Sequence, residues 1–260
     1  MDTKLTGKTR IESDLIGARE IPAEALYGVQ TLRGIENFSI SKFRLSEYPL
    51  FIKGLAITKM AAAMANFELG LLTVEQKDAI IAACGEILDG KHHDQFPVDM
   101  IQGGAGTTTN MNANEVIANR ALELMGHERG EYQYCSPNDH VNCSQSTNDA
   151  YPTAIHIGMY FKHLQLLPHL EELIASFRKK GEEFSQIIKM GRTQLEDAVP
   201  MTLGQTFNGF ASILQDEIAH LNEAAADFLV VNMGATAIGT GICAEPGYAE
   251  KCIAALREIT

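Results

Sequence analysis

The sequence predicts a mainly α-helical fold, in which a small mixed N-terminal domain is followed by a bundle of long helices. Two apolar stripes carry this prediction, one between Phe161 and Ile188 and the other between Leu203 and Phe228. Their apolar residues fall mostly three or four apart, and each stripe is far longer than an average helix of about 11 residues. Such long apolar faces need partner helices to cover them. We therefore expect an N-terminal, mostly helical domain over residues 1–140, and over 141–260 the first part of a bundle that is cut short.

The N-terminal elements follow from local signals. Residues 1–49 are mixed, with short extended-looking pieces such as "EALYGVQT" and "ENFSIS". From residue 50 to residue 70 an Ala-rich apolar segment predicts a helix that ends at a glycine. Thr73 and Gln76 form a capping box that opens the next helix, and Gly90 stands where its C-terminal cap belongs.

Three further helices are expected downstream. A polar segment leads into a helix predicted from about Asn112 to Met125, with Gly126 as its stop. Pro168 lies inside the first long stripe, so that helix is either kinked there or begins near it. A last helix begins near Pro246, and the Gly-rich segment "MGATAIGTG" before it is interpreted as an interhelical connection.

Composition excludes several classes of partner. The net charge of -12 argues against nucleic acid or an anionic membrane surface, because both need a basic face. No apolar run approaches the ~20 residues that span a bilayer, and the charged N-terminus lacks the apolar core of a signal peptide. The five cysteines form no CxxC pair and are odd in number, which indicates a reduced, cytoplasmic protein.

Three polar stretches interrupt the helices, and they are the candidate binding segments. They are "GGAGTTTNMNANE" (103–115), "NCSQSTNDAYPT" (142–153) and "KMGRTQLEDAVPMTLGQ" (189–205). Hydroxyls and amides donate to carboxylate oxygens without adding a compensating charge, and a helix N-terminus contributes its dipole. Each stretch taken singly also fits a helix cap or an interhelical loop. Together they predict a site for a small polyanion.

No metal cage or charged nucleophile accompanies these stretches. His92 and His93 are adjacent, and His163 and His169 are six apart, which misses the i, i+4 spacing of two ligands on one helix. His140 is interpreted as a hydrogen-bonded loop residue. The sequence predicts no metal site and no cofactor, and it leaves open whether a divalent cation activates the protein.

The same stretches resemble the aspartase/fumarase superfamily. The similarity extends to "RIESDLIGAREIPAEALYGVQTLRGIENF" near the N-terminus and to "GATAIGTG", so it covers essentially the whole chain. "GRTQ" and "STNDAYPT" are closer to the aspartase branch, whereas fumarases typically have His at the positions of Gln194 and Ser136. Some aspartases also have His at the position of Gln194.

The resemblance implies reversible removal of ammonia from L-aspartate to give fumarate. Thr107, Ser146 and Thr147 would hold the carboxylate that becomes an aci-carboxylate when the neighbouring carbon loses its proton. Asn148, Thr193 and Gln194 would hold the amino group and the other carboxylate. The dicarboxylate is thus the expected partner, in a homotetramer whose sites combine loops from three subunits.

One element of the family is missing from these 260 residues. The family's catalytic base is a serine in a "GSS…P.K.N" loop, which the resemblance places downstream of Thr260. We therefore expect no catalytic base in this chain and no turnover by the chain alone. A class II fumarase and a non-catalytic scaffold on the same fold are the alternatives.

Overall fold

The computed structural model describes residues 7–102 and 104–260, so the first six residues of the predicted N-terminal segment and Gly103 of the first polar stretch lie outside it. Within the described residues the fold is mainly α-helical, as the sequence predicts. The strands are β1 (Thr9–Asp14), β2 (Gly17–Pro22), β3 (Ile188–Thr193) and β4 (Glu196–Thr202). The helices are α1 (Val29–Asn37), α2 (Pro49–Glu68), α3 (Val74–Leu88), α4 (Thr107–Leu124), α5 (Thr147–Glu183), α6 (Leu203–Ala226) and α7 (Tyr248–Ile259).

The chain forms two compact units. The first contains the described residues up to Gly158 together with Val231–Thr260, and the second contains Met159–Val230. The first unit therefore holds β1, β2, α1 to α4, the N-terminal third of α5, and α7. The second unit holds the remainder of α5, the β3–β4 hairpin and α6.

The core of the first unit is built around α2. The helix is apolar on nearly all sides because it packs against α3, α4 and α7. By length and composition α2 alone among the described helices is apolar enough to cross a membrane, and 72% of its apolar window is buried inside the fold. The expectation that no apolar run approaches about 20 residues is thus wrong for Pro49–Glu68. Its burial is that of a core helix.

A buried carboxylate holds α1 against α4. Glu115 accepts hydrogen bonds from the backbone N–H groups of Gly28, Gln30 and Thr31 at 2.8, 2.8 and 3.0 Å. These N–H groups belong to the start of α1, where a helix has no partners of its own. The Glu115 side chain from α4 therefore caps α1. Burial raises the pKa of Glu115, and the bonds from Thr31, Gln30 and Gly28 oppose that shift.

The second unit pairs two long apolar stripes. Phe177 of α5 lies with its ring centroid 6.0 Å from Phe207 and 5.7 Å from Phe210 of α6. A Cβ on Gly204 would stand 2.3 Å from the carbonyl oxygen of Gly181, so glycine is needed where the two helices approach. Most stripe residues are only half-buried, and Phe210 remains 47% exposed. Two helices alone do not cover these stripes.

Four local expectations need correction. The helix predicted from Asn112 begins at Thr107, because residues interpreted as a polar loop form its first turn. Of the two alternatives at Pro168, a helix that begins near it is wrong, since α5 starts at Thr147 and continues through Pro168, while a kink there stays a prediction. The polar link over 189–205 is mostly an antiparallel hairpin, β3–β4. The extended-looking pieces near the N-terminus flank or enter α1, whereas the first hairpin precedes them.

Candidate functional site

Thr107 stands at the N-terminal end of α4, after a turn of unusual backbone conformation. Gly104, Ala105 and Gly106 have φ values of 75°, 52° and 94°, so three consecutive residues are left-handed. The Thr107 hydroxyl donates to the Gly104 carbonyl oxygen at 2.7 Å. A Cβ on Gly106 would stand 2.4 Å from the ring of Tyr151, so glycine allows this turn to pack against α5. Thr107 itself is exposed.

The start of α5 is capped by only two members of its polar row. Ser146 Oγ accepts a hydrogen bond from the Asn148 backbone N–H at 3.2 Å, and the Ser146 N–H donates to Asp149 Oδ1 at 2.9 Å. This reciprocal arrangement has the form of a capping box and satisfies the helix start. The side chains of Thr147 and Asn148 are therefore not needed for the cap.

Asp149 and Asn148 also anchor the Gly-rich segment that precedes α7. Asp149 is fully buried, and its Oδ2 accepts hydrogen bonds from the backbone N–H groups of Gly234 at 3.1 Å and Thr236 at 2.9 Å. Asn148 Nδ2 donates to the Ala237 carbonyl oxygen at 2.8 Å. The segment interpreted from sequence as a connection thus forms one wall beside the start of α5.

The first turns of α4 and α5 meet. Asn110, in the first turn of α4, donates from Nδ2 to Thr147 Oγ1 at 3.2 Å. Thr107, Ser146, Thr147 and Asn148 are consequently grouped at two neighbouring helix N-termini within the first compact unit. Each helix N-terminus carries the positive end of its helix dipole, and two such ends close together favour an anion.

Thr193 and Gln194 belong to the second compact unit. Thr193 is the last residue of β3, and Gln194 with Leu195 forms the two-residue turn of the hairpin, with φ values of 46° and 70°. Two successive left-handed residues are the geometry of a type I′ turn, which usually takes Asn and Gly. Both predicted site residues are exposed. Their roles as ligands remain predictions.

Sequence reasoning missed a buried lysine beneath the site. Lys59 of α2 has no exposed surface, and its Nζ donates to Asn110 Oδ1 at 2.7 Å, Gln145 Oε1 at 2.8 Å and Asn142 Oδ1 at 3.0 Å. Burial lowers the pKa of Lys59 to about 7, while the negative charge of Asp149 acts in the opposite direction. The sequence contains one signal for this residue: Lys59 is the single charged residue of the apolar segment "GLAITKMAAAMAN". Lysine is almost never fully buried unless it has partners, so a lysine in a segment expected to be buried is unusual.

Further titratable groups are His140 and the cysteines, and hydrogen bonding or burial accounts for their state. His140 is hydrogen-bonded as expected, but it lies in a short helical turn (Pro137–Val141) and not in a loop. Its Nδ1 accepts a hydrogen bond from the Ser136 backbone N–H at 2.7 Å, and burial lowers its pKa. All five cysteines are free, and burial raises the pKa of three of them to about 12: Cys84, Cys135 and Cys252. Across residues 7–102 and 104–260, no group of three or more His, Cys, Asp or Glu side chains is placed to hold a metal ion. The expectation that no cofactor is needed stays a prediction.

Comparison with known proteins decides the family. A family described as Lyase matches residues 17–260. The chain belongs to this lyase family. It is 56% identical over 252 residues to an aspartate ammonia-lyase from Pseudomonas canavaninivorans, covering 96% of this chain and 53% of the relative. It is 53% identical over 257 residues to the aspartate ammonia-lyase of Escherichia coli strain K12, covering 98% of this chain and 54% of the relative.

Solved structures of this lyase family have the same fold. A fumarate lyase:delta crystallin from Brucella melitensis, bound to cobalt, superposes with a TM-score of 0.94 at 53% identity, over 97% of this chain and 55% of that one. A class II fumarase from Schistosoma mansoni gives a TM-score of 0.89 at 36% identity, over 97% and 53%. The resemblance read from the motifs is therefore confirmed. The chain spans about half the length of the relatives it matches.

Proposed function

We propose that the protein is an ammonia-lyase that converts L-aspartate reversibly into fumarate and ammonia. The observation that supports this most is the meeting of two helix N-termini, which presents the hydroxyls of Thr107, Ser146 and Thr147 at one end of α4 and α5. Uncharged donors at a positive dipole end suit a carboxylate that must gain charge during the reaction. Relatives named aspartate ammonia-lyase at 53–56% identity support the choice of substrate.

In the proposed mechanism, proton abstraction takes place at the carbon beside the side-chain carboxylate. The resulting charge spreads onto that carboxylate, which becomes an aci-carboxylate, and loss of the amine follows. Ser146 and Thr147 stabilise this developing charge, and Thr107 joins them once its hydroxyl turns from the Gly104 carbonyl oxygen to the ligand. A single preorganised donor in such a role is worth about 2.7–4 kcal/mol. Three further residues would bind the amino group and the second carboxylate: Asn148, Thr193 and Gln194.

Assembly and location form part of the same proposal. We expect a cytoplasmic homotetramer in which loops from three subunits complete each site. The half-buried stripes of α5 and α6 support association, because soluble monomers rarely expose large apolar patches. Light scattering should find the 260-residue chain self-associated. A dilute, stable monomer would contradict this part of the proposal.

The experiment that tests the reaction is a chimera. Residues 1–260 are joined to the remaining half of the Escherichia coli aspartate ammonia-lyase, in place of the half that they match at 53% identity. Because the base serine is expected downstream of Thr260, the chain alone should bind succinate without turnover, whereas the chimera should release ammonia from L-aspartate. Thr147→Val in the chimera should reduce kcat/KM at least a hundredfold.

The alternatives give different outcomes in the same assay. Hydration of fumarate to L-malate without ammonia release from L-aspartate would identify a fumarase, the activity named for a relative of 36% identity. A folded chimera that performs neither reaction would favour a non-catalytic scaffold. Either result would overturn the proposal, provided that the unmodified Escherichia coli enzyme is active in parallel.

A further inference from the structure

Lys59 is surrounded by amide oxygens. Its ammonium group donates to the side-chain oxygens of Asn110, Asn142 and Gln145, all at 3.0 Å or less, and it has no exposed surface. Three donors on the ammonium match three acceptors. Each of these three acceptors belongs to an uncharged side-chain amide. Without the cation, such an amide could present either its oxygen or its NH₂ group at this position.

The positive charge determines how these amides are turned. An ammonium can only donate, so each neighbouring amide must present its oxygen to Nζ and turn its NH₂ group away. For Asn110 this directs Nδ2 toward Asn142 Oδ1 at 3.1 Å and Thr147 Oγ1 at 3.2 Å. Asn142 Oδ1 receives a further bond from Asn114 Nδ2 at 3.1 Å, which fixes its orientation as well.

The orientation of Asn110 in turn decides what the Thr147 hydroxyl does. A hydroxyl has one hydrogen to donate. When Asn110 offers its NH₂ group, Thr147 Oγ1 accepts, and its own hydrogen remains available to a ligand at the helix N-terminus. If the amide were reversed, the Asn110 oxygen would take that hydrogen and the hydroxyl would no longer be a donor toward the ligand.

We propose that Lys59 is a positioning residue that, through Asn110, fixes the Thr147 hydroxyl as a hydrogen-bond donor to a bound carboxylate. The identity of the ligand rests on the proposed function; the relay from Lys59 through Asn110 to Thr147 does not. The proposal also accounts for a charge in the core. A buried ammonium pays a large desolvation cost that its hydrogen bonds must offset, so a lysine is a costly way to fill a core position.

The first part of the test measures binding of succinate to the 260-residue chain by calorimetry at about pH 6, below the pKa of about 7 of Lys59, so that Nζ is an ammonium. Lys59→Met should raise the Kd roughly tenfold or more, because a donor to a charged acceptor is lost. Thr147→Val should do the same, and the double variant should bind no more weakly than Thr147→Val, within about twofold, because both changes remove one interaction. Multiplying effects, or a Kd unchanged by Lys59→Met, would overturn the proposal.

Asn110→Asp provides a second variant that keeps an acceptor facing Lys59 but removes the donor to Thr147. It should raise the Kd about as much as Lys59→Met, and an unchanged Kd would count against the relay. Lys53→Met is the matched control, since Lys53 lies on the same helix and is partly exposed. It should leave the Kd within about twofold of the wild-type value.

The second part reads the relay without any ligand. The Asn110 Nδ2 protons should give a nuclear Overhauser effect to the Thr147 side chain in the wild-type chain, and Lys59→Met should abolish it. Persistence of that effect in folded Lys59→Met overturns the positioning role even if succinate fails to bind. Failure of the wild-type chain to bind succinate would instead count against the proposed function, while the Overhauser comparison still decides the role of Lys59.

Discussion

Asp149→Asn should damage the wall beside the start of α5. The wild-type carboxylate accepts three backbone hydrogen bonds, from Ser146 on Oδ1 and from Gly234 and Thr236 on Oδ2. Asparagine keeps one oxygen of the two. Its most favourable placement retains the two bonds on the Oδ2 side and turns the NH₂ group toward the Ser146 N–H, where two donors face each other.

The size of the effect follows from these bonds. One hydrogen bond to a charged group, worth about 1.5–3 kcal/mol, is lost. The two that remain become bonds between neutral groups, which contribute only about 0.5–1.5 kcal/mol each. Removing a buried charge returns part of this energy. We expect Asp149→Asn to lower the free energy of unfolding of the first compact unit by about 2–4 kcal/mol.

Hydrogen exchange is the assay that reads this site directly. The amides of Ser146, Gly234 and Thr236 should exchange at least tenfold faster in Asp149→Asn, and urea should unfold the first unit at a lower concentration. Asp78→Asn is the control, because that side chain is 62% exposed, and it should change stability by less than about 0.5 kcal/mol. Unchanged exchange at all three amides would refute the role assigned to Asp149.

Three further predictions concern other buried or strained groups. Glu115→Gln should destabilise the first unit by about 1.5–3 kcal/mol, measured by urea unfolding, because an NH₂ group would face a backbone donor at the start of α1; a change below 0.5 kcal/mol would contradict this. Leu195→Gly should raise the melting temperature of the second unit, because glycine adopts the left-handed backbone of this turn without strain and the exposed leucine side chain makes no packing that would be lost. Leu195→Ala keeps a Cβ in that conformation and should not raise it. Because the pKa of Lys59 falls from 10.5 to about 7 on folding, the unfolded chain binds more protons above pH 7, and stability should rise from pH 7 to about 8.5. Above about pH 9 the buried thiols, whose pKa folding raises from 9.0 to about 12, should reverse the trend. In Lys59→Met, the free energy of unfolding should no longer rise between pH 7 and about 8.5, but it should still fall above about pH 9, and unfolding measured across this pH range checks both.

Local signals were sufficient for several helix ends. The capping box predicted at Thr73 and Gln76 is present with both of its hydrogen bonds. The glycines expected to end helices, Gly70, Gly90 and Gly126, all have positive φ values between 76° and 88°. These features depend on a few neighbouring residues, so the sequence specifies them without knowledge of the remaining fold.

Tertiary contacts explain the local errors. Thr and Asn favour caps and turns, so the sequence predicts a loop where the first turn of α4 lies. The helix is supported there by Gln102, whose side-chain oxygen accepts a hydrogen bond from the Thr109 backbone N–H at 3.0 Å. The β3–β4 turn was missed because Gln194 and Leu195 are not the residues that such a turn usually takes. Neither feature follows from residue preference alone.

In the candidate site, too, local signals predict some residues and only tertiary contacts reveal others. The polar row at 146–149 pointed to the start of α5, and the resemblance supplied roles for its members. Lys59 was missed because its partners lie 51, 83 and 86 residues away along the chain. Only the packing of α2 against the first turn of α4 and the start of α5 brings them together. The sequence shows the lysine as a lone charge in an apolar segment, but it does not show these partners.

The decisive measurement is a crystal structure of the chimera with succinate bound. We expect one succinate carboxylate within hydrogen-bond distance of the Thr107, Ser146 and Thr147 hydroxyls, at the neighbouring N-termini of α4 and α5. Succinate bound elsewhere, with none of those hydroxyls within hydrogen-bond distance of a carboxylate oxygen, would contradict the proposed carboxylate site.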